Sequence, residues 1–295
     1  MLAVKTYNNN QHIFRRELRL MGNRFEISVV GNDDVWALKC IDAAAAEINR
    51  VEKLLSALTD DGQVTEINRH AGQKPVKVNA EIFRLIERAL AISELTDGAF
   101  DITYNTENDA KTASYRQVIL NSDKTTVYLR GKGMRIGFSA ISRGYAADRA
   151  KYALQLLGVS SGVVNAGGDL LAWGLQPDNQ PWTIASADPQ QKMQPYADIK
   201  ISNMAVATSG DFDKNAAIND VMANIDTKRG FPVSELKRVS VVSPTAELSD
   251  AMATPVMTMG VNAGLYLINK LQQLACVIID DHDRVYTSKE ISFLT

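Results

Sequence analysis

The stretch "SGVVNAGGDLLAWG", residues 161–174, decides the fold class. Two short apolar runs flank Gly167-Gly168, and paired glycines supply the positive backbone angles of a tight turn. It reads as strand, Gly-Gly turn, strand, so part of the sheet is antiparallel. Working outward, "NRFEISVVG" (23–31) alternates like a half-buried strand and ends at Gly31 and Asn32. "PWTIASADP", "YADIKISNMAVATSG" and "RVSVVSP" (238–244) add further strands, and "ACVIIDDHDRVYTS" closes as a hairpin.

Helical periods lie between these strands. From Asp33, Ile41, Ala44, Ala45, Ile48, Val51 and Leu55 recur at helical spacing, with Glu47, Arg50 and Lys53 on the other face. "TDDGQ" then breaks the chain. A second helix runs from about Ala80 to Leu95 with Asn79 as N-cap. "TTVYL" (125–129) and "MRIGF" (134–138), joined by "RGKG", suggest a hairpin, and helices are expected at roughly 141–157, from about Ser249, and at about 262–273. The polar residues 1–15 read as a loose segment, and 16–295 as one domain. The fold class is α/β in the mixed α+β sense, with partly antiparallel sheets flanked by helices.

The 295 residues are 45% hydrophobic and 22% charged, with net charge −2, as in an ordinary globular protein. That charge balance, without a basic block, gives no electrostatic case for nucleic acid. Cys40 and Cys276 sit in apolar settings and read as small buried hydrophobes. No apolar run looks long enough to span a bilayer, and the first residues lack a signal-peptide core. The chain reads as cytoplasmic, or as periplasmic or membrane-anchored if an export signal has been removed.

Several stretches carry candidate chemistry. In "ELSDAMATPVMTMG" (247–260), Asp250 and Thr254 are four apart and share a helix face. They are either oxygen ligands suited to Mg²⁺ or Ca²⁺, or part of a helix cap. Pro255 is expected to disturb the helix just after Thr254. In "GFSAISRGYAADRA" (137–150), small residues and Arg143 open a helix, which suits either a phosphate or tight packing. "TDGAFDIT" (96–103) places Gly98 at a helix end and Asp101 after an aromatic. Ser209 has no nearby His, so a hydrolase triad has no support.

In their order along the chain, these pieces resemble the ApbE-type FAD:protein FMN transferases. The matching elements are Met21-Gly22, "LLSALTDDGQVTEIN", Gly98 to Asp101, "SRGYAAD", Asn-x-Gly-Gly-Asp, Ala-Thr-Ser-Gly and Asp-Ala-x-Ala-Thr, spanning roughly residues 20 to 288. The resemblance implies a mixed α/β fold with FAD in a cleft, and Mg²⁺-dependent transfer of FMN to a Thr or Ser hydroxyl of an acceptor protein, releasing AMP. It assigns the metal to Asp250, Thr254 and the carbonyl near Ala140. It assigns the flavin nucleotide to Met21, Ala99, Phe100, Asp101, Arg143 and Ile225, and catalytic roles to Arg143 and Asp226. The chain departs from the family pattern at Leu58 (Tyr in the family), Arg143 (Lys), Gly137 (an acid) and Ala223 (His). A positioned base contributes about 10²–10⁴-fold, so Ala223 implies impaired transfer. The alternatives are a non-catalytic relative that binds a flavin, another nucleotide or a protein, and a slow FAD pyrophosphatase with water as acceptor.

Overall fold

The computed structural model describes residues 2–6, 11–57, 59, 61–103, 113–185, 198–210 and 236–289. These fall into two compact units, where the sequence suggested one domain. One holds residues up to Asn49 and from Arg143 onward, and the other holds Arg50–Ser142.

In the first unit, nine strands form one sheet: β1 (Leu2–Thr6), β2 (His12–Leu20), β3 (Asn23–Gly31), β7 (Gly162–Ala166), β8 (Asp169–Trp173), β11 (Met204–Gly210), β12 (Leu236–Ser243), β13 (Ala275–Asp280) and β14 (Val285–Thr287). They neighbour one another in that order, and every pairing is antiparallel. The Gly167-Gly168 turn joins β7 to β8, with Ala166 opposite Asp169, as its sequence predicts. Alternation on β3 buries Phe25, Ile27 and Val29 completely, while β13 is buried throughout. Trp173 is fully buried and donates its indole N–H to Val159 O at 3.2 Å. A Cβ on Gly162 would meet Ser28 O at 2.6 Å and the Trp173 ring at 2.7 Å, so only glycine lets β7 lie this close. A two-stranded piece, β9 (Trp182–Ala185) with β10 (Asp198–Ile201), adds Trp182 and Ile201 to a cluster with Ile13, Val206 and Val242.

The amphipathic helix α1 (Asp34–Leu55) follows β3 as expected. The helix α4 (Ser142–Leu156) precedes β7, and α5 (Ala246–Ile268) packs against β11 and β12. Among the described residues, α5 is the one helix long and apolar enough by composition to cross a membrane. It carries the buried Asp250 and packs on the sheet, so it reads as a core helix.

The second unit holds α2 (Gln63–Arg69), α3 (Ala80–Leu95) and a small sheet ordered β4 (Val76–Lys77), β6 (Thr126–Leu129), β5 (Val118–Asn121). The Asn79 side chain accepts the Ile82 N–H at 2.8 Å, as a helix N-cap does. The periodic face of α3 buries Ile82, Leu85, Ile86, Ala89 and Ile92.

The structure corrects four local readings. Leu2–Thr6 pairs with β2, and Ile13 and Phe14 are buried, so much of the expected loose segment is strand. The strand is LAVKT, with three apolar residues, and Ala3, Val4 and Lys5 are exposed as at a sheet edge. The expected 125–129/134–138 hairpin is instead β5 with β6. Asn68 takes the place of a partner strand for Ile136, accepting its N–H at 2.8 Å and donating to its C=O at 3.0 Å. The break before Gln63 stands, but it is followed by the short helix α2, whose seven residues are too few to show a period. Finally, α5 runs through Pro255 and breaks at Gly260, with φ 78°.

If Gly162 is the hinge of this packing, Gly162→Ala should cost about 1–3 kcal/mol through overpacking. A denaturation midpoint equal to the parent's would show that β7 and Trp173 shift aside freely.

Candidate active site

Helices α4 and α5 approach with no room for a side chain at Gly144. A Cβ there would meet Ala246 O at 2.2 Å and Asp250 Cβ at 2.9 Å. Two carboxylates lock this crossing. Asp148, one turn along α4, accepts the N–H groups of Ala246 at 3.0 Å and Glu247 at 2.8 Å. It thereby satisfies amides that open the first turn of α5 and would otherwise lack a partner. Asp250 Oδ2 accepts the Gly144 N–H at 3.0 Å. The Thr245 hydroxyl accepts the Leu248 N–H, so Thr245 is the N-cap. That removes the capping alternative for Asp250, which lies inside the helix and is only 8% exposed.

Around Asp250 the charges form an acid–cation–acid cluster. Arg143 Nη2, in the first turn of α4, lies 3.8 Å from Asp250 Oδ1 and 3.5 Å from Asp169 Oδ2. Asp169 Oδ1 accepts the Thr208 N–H at 3.0 Å. Burial pushes the Asp250 carboxyl up to about 7, and the nearby Asp169 charge pushes in the same direction. Arg143 and the Gly144 amide oppose the rise without cancelling it. Burial likewise lifts Asp148 to about 6, against the two amides it accepts. The Arg143 guanidinium thus lies near both carboxylates.

The oxygen donors beside Asp250 suit a hard divalent cation. Thr254 lies one turn further on the same face of α5, and its hydroxyl is 3.5 Å from Ser209 Oγ on β11. The neighbouring Thr208 hydroxyl is 2.9 Å from Ser240 Oγ. Among the described residues, Asp250 and Thr254 offer oxygen donors on one face of α5, the donor type of Mg²⁺ or Ca²⁺ rather than zinc. The structure thus brings Arg143 and Asp250 together, with Thr254 on the same helix face as Asp250. Sequence reasoning missed Asp169 and Asp148. Asp169 directly follows the Gly167-Gly168 turn, which gives it no local signal of a site role, and nothing in local spacing marks Asp148 as a cap for a helix about a hundred residues away.

Met21 occupies the β2–β3 turn with φ 51°, next to Gly22 at φ 71°. Positive φ at both positions, with Leu20 opposite Asn23, defines a two-residue hairpin turn of the primed type. The Gly167 N–H donates to Arg24 O at 2.9 Å, tying this turn to the Gly-Gly turn that precedes Asp169. In the second unit, Gly98 (φ 77°) closes α3 by donating its N–H to Ser93 O. Phe100 is buried, and Ala99 is half-buried. Asp101 holds its own loop: Oδ1 accepts from the Thr103 N–H and hydroxyl at 2.8 and 2.7 Å, and Oδ2 from the Tyr115 N–H at 3.0 Å. Ala140 lies in the turn before α4 and is exposed. Leu58, Ala223, Ile225 and Asp226 lie outside the described residues.

Fold and cluster define a class first: a mixed α/β protein with a buried acid–cation–acid site on two crossing helices. The ApbE family profile matches residues 21–278, and the chain belongs to that family. A Klebsiella pneumoniae FAD:protein FMN transferase is 25% identical over 295 residues, covering 92% of this chain and 90% of its own. A Treponema pallidum protein of the same name is 26% identical over 281 residues, covering 83% of this chain and 78% of its own. The ApbE protein of Thermotoga maritima shares the fold, with TM-score 0.82 at 23% identity over 96% of this chain and 99% of that one. The flavin transferase ApbE of Vibrio cholerae does so with TM-score 0.80 at 21% identity, over 96% and 100%.

The raised carboxyls fix the sign of a pH effect. Asp250 and Asp148 bind a proton more tightly folded than unfolded, so their ionisation costs stability. The protein gains stability from them as pH falls through 7 and 6 toward 3.8, and loses it as pH rises. Without divalent cations, Asp250→Asn should therefore raise Tm at pH 8, with a gain that shrinks toward pH 5. A gain that is absent, or larger at pH 5, contradicts the buried, uncompensated charge.

Proposed function

We propose that this protein transfers the FMN half of FAD to a Thr or Ser hydroxyl of an acceptor protein and releases AMP. The single observation that carries the reading is the buried Asp250 carboxylate, set at the start of α4 by the Gly144 amide and flanked by Arg143 and Asp169. Relatives that cover nearly the whole chain are named for this transfer.

The atoms balance as a phosphoryl transfer. The acceptor oxygen forms a bond to the FMN phosphorus, the bond from that phosphorus to the bridging oxygen breaks, and AMP departs with the bridging oxygen. The hydroxyl proton leaves with a base. Asp250 and Thr254, with the Ala140 carbonyl, are the proposed ligands of Mg²⁺, which when bound supplies charge neutralisation at the pyrophosphate. Arg143, partly exposed at the start of α4, faces the phosphates with the positive end of that helix behind it. Its fixed charge favours the leaving phosphate as negative charge builds there. Gly144 admits α5 closely enough to set Asp250 beside this helix terminus. Met21, Ala99, Phe100, Asp101 and Ile225 are the proposed flavin-nucleotide contacts, with Asp101 acting through the loop it braces. Asp226 is the other proposed catalytic residue, in the stretch "ANIDTKRG", where Ala223 stands at the position of the family His. A chain lacking that His should be slow.

The test is direct. Protein, FAD and Mg²⁺ are mixed with a peptide bearing a single acceptor Thr, and FMN-peptide and AMP are followed by mass spectrometry. Both products should appear in equal amounts, and Asp250→Asn should lower the rate by about two orders of magnitude or more, as loss of a principal electrostatic contributor does. FAD binding with neither product would make the protein a non-catalytic binder. AMP without FMN-peptide would make it a pyrophosphatase.

A further inference from the structure

The Asp169 carboxylate links a strand pairing to a guanidinium. Its Oδ1 accepts the Thr208 N–H at 3.0 Å. The backbone ladder between β8 and β11 reaches Leu170 opposite Val206, and this side chain carries the pairing on from there. Its Oδ2 lies 3.5 Å from Arg143 Nη2. The same nitrogen is 3.8 Å from Asp250 Oδ1, whose other oxygen is fixed by the Gly144 amide. Both carboxylates are thus anchored by a backbone N–H, and the guanidinium lies between them. Neither distance is that of a close charge-assisted pair, which falls near 2.7–2.9 Å. A cation balanced between two fixed anions collapses onto one when the other is removed.

We propose that Asp169 is a positioning residue: it holds the Arg143 guanidinium off Asp250 and aimed at the phosphates of the bound nucleotide. This rests on the reading of Arg143 as the phosphate-facing residue. Asp169 itself touches no reacting atom. Without its charge, Arg143 pairs with Asp250, which removes a cation from the phosphates and blocks a carboxylate that otherwise serves the metal.

Asp169→Asn separates the two contacts, because the Asn carbonyl still accepts the Thr208 N–H while the charge is lost. The probe is ADP in saturating Mg²⁺, titrated by calorimetry against the full chain, Asp169→Asn, Arg143→Gln and the double variant. Simple electrostatics says that deleting an acid beside an anion site tightens binding. Positioning says the reverse: Asp169→Asn should weaken ADP roughly tenfold, the scale of one charge-assisted contact. Adding it to Arg143→Gln should weaken ADP no further. Unchanged or tighter binding by Asp169→Asn, or losses that multiply in the double variant, overturns the proposal. The Tm of the same four proteins gives a ligand-free readout. A cost for Asp169→Asn that is smaller in the Arg143→Gln background supports the pairing, and additive costs overturn it. If the parent itself binds no ADP, the flavin-nucleotide reading falls, and the Tm cycle still decides whether Asp169 holds Arg143.

Discussion

Helices α4 and α5 cross at a point where a single methyl group would not fit. Gly144 makes the approach possible, and a Cβ there would sit 2.2 Å from Ala246 O. The rest of the site depends on that approach. It lets Asp148 accept the opening amides of α5, and lets Asp250 accept the amide of Gly144 in return. The two helices are cross-tied by carboxylates near their N-termini, where helix dipoles favour negative charge. Those termini also place Arg143 on the first turn of α4 and Thr254 one turn beyond Asp250 on α5.

The cost of this arrangement is electrostatic. Asp250 and Asp148 are carboxylates that burial pushes far above their ordinary value of 3.8. A fold under no demand but stability would not bury an acid this way, since an uncompensated buried charge is unfavourable. Perturbed carboxyls of this kind gather at functional sites. By contrast, Asp280 is an acid serving the fold: two amides, Arg284 and Tyr286 all donate to it, and it is held down to about 2. Asp250 and Asp280 are both buried, but Asp280 accepts from two amides, Arg284 and Tyr286, where Asp250 accepts the Gly144 amide.

Much of this was legible in the sequence because it is local. The Gly167-Gly168 turn, the long period of α1, the Asn79 cap and the closing hairpin each declare themselves within a few residues. The shared face of Asp250 and Thr254 follows from helical spacing within one helix, whereas their assignment to a metal is what the family resemblance implies. What could not be read was long-range. Asn68 satisfies the backbone of Ile136, so a predicted strand has no partner strand. Asp148 caps a helix about a hundred residues away, and Asp169 reaches Arg143 across two elements. Asp101 braces its loop through Thr103 and Tyr115, a residue fourteen positions on. In each case the deciding bond joins residues whose adjacency only the fold creates. ApbE-family membership supplied the order of the motifs, and the geometry then gave each motif a physical task.

The central claim is that burial raises the Asp250 carboxyl, which is proposed to be one ligand of a divalent cation. Titration of its carboxyl carbon by NMR in the metal-free protein tests this most directly. The account predicts a midpoint near 7, moving down by several pH units when Mg²⁺ is added. A midpoint at the ordinary 3.8, unmoved by Mg²⁺, would contradict it.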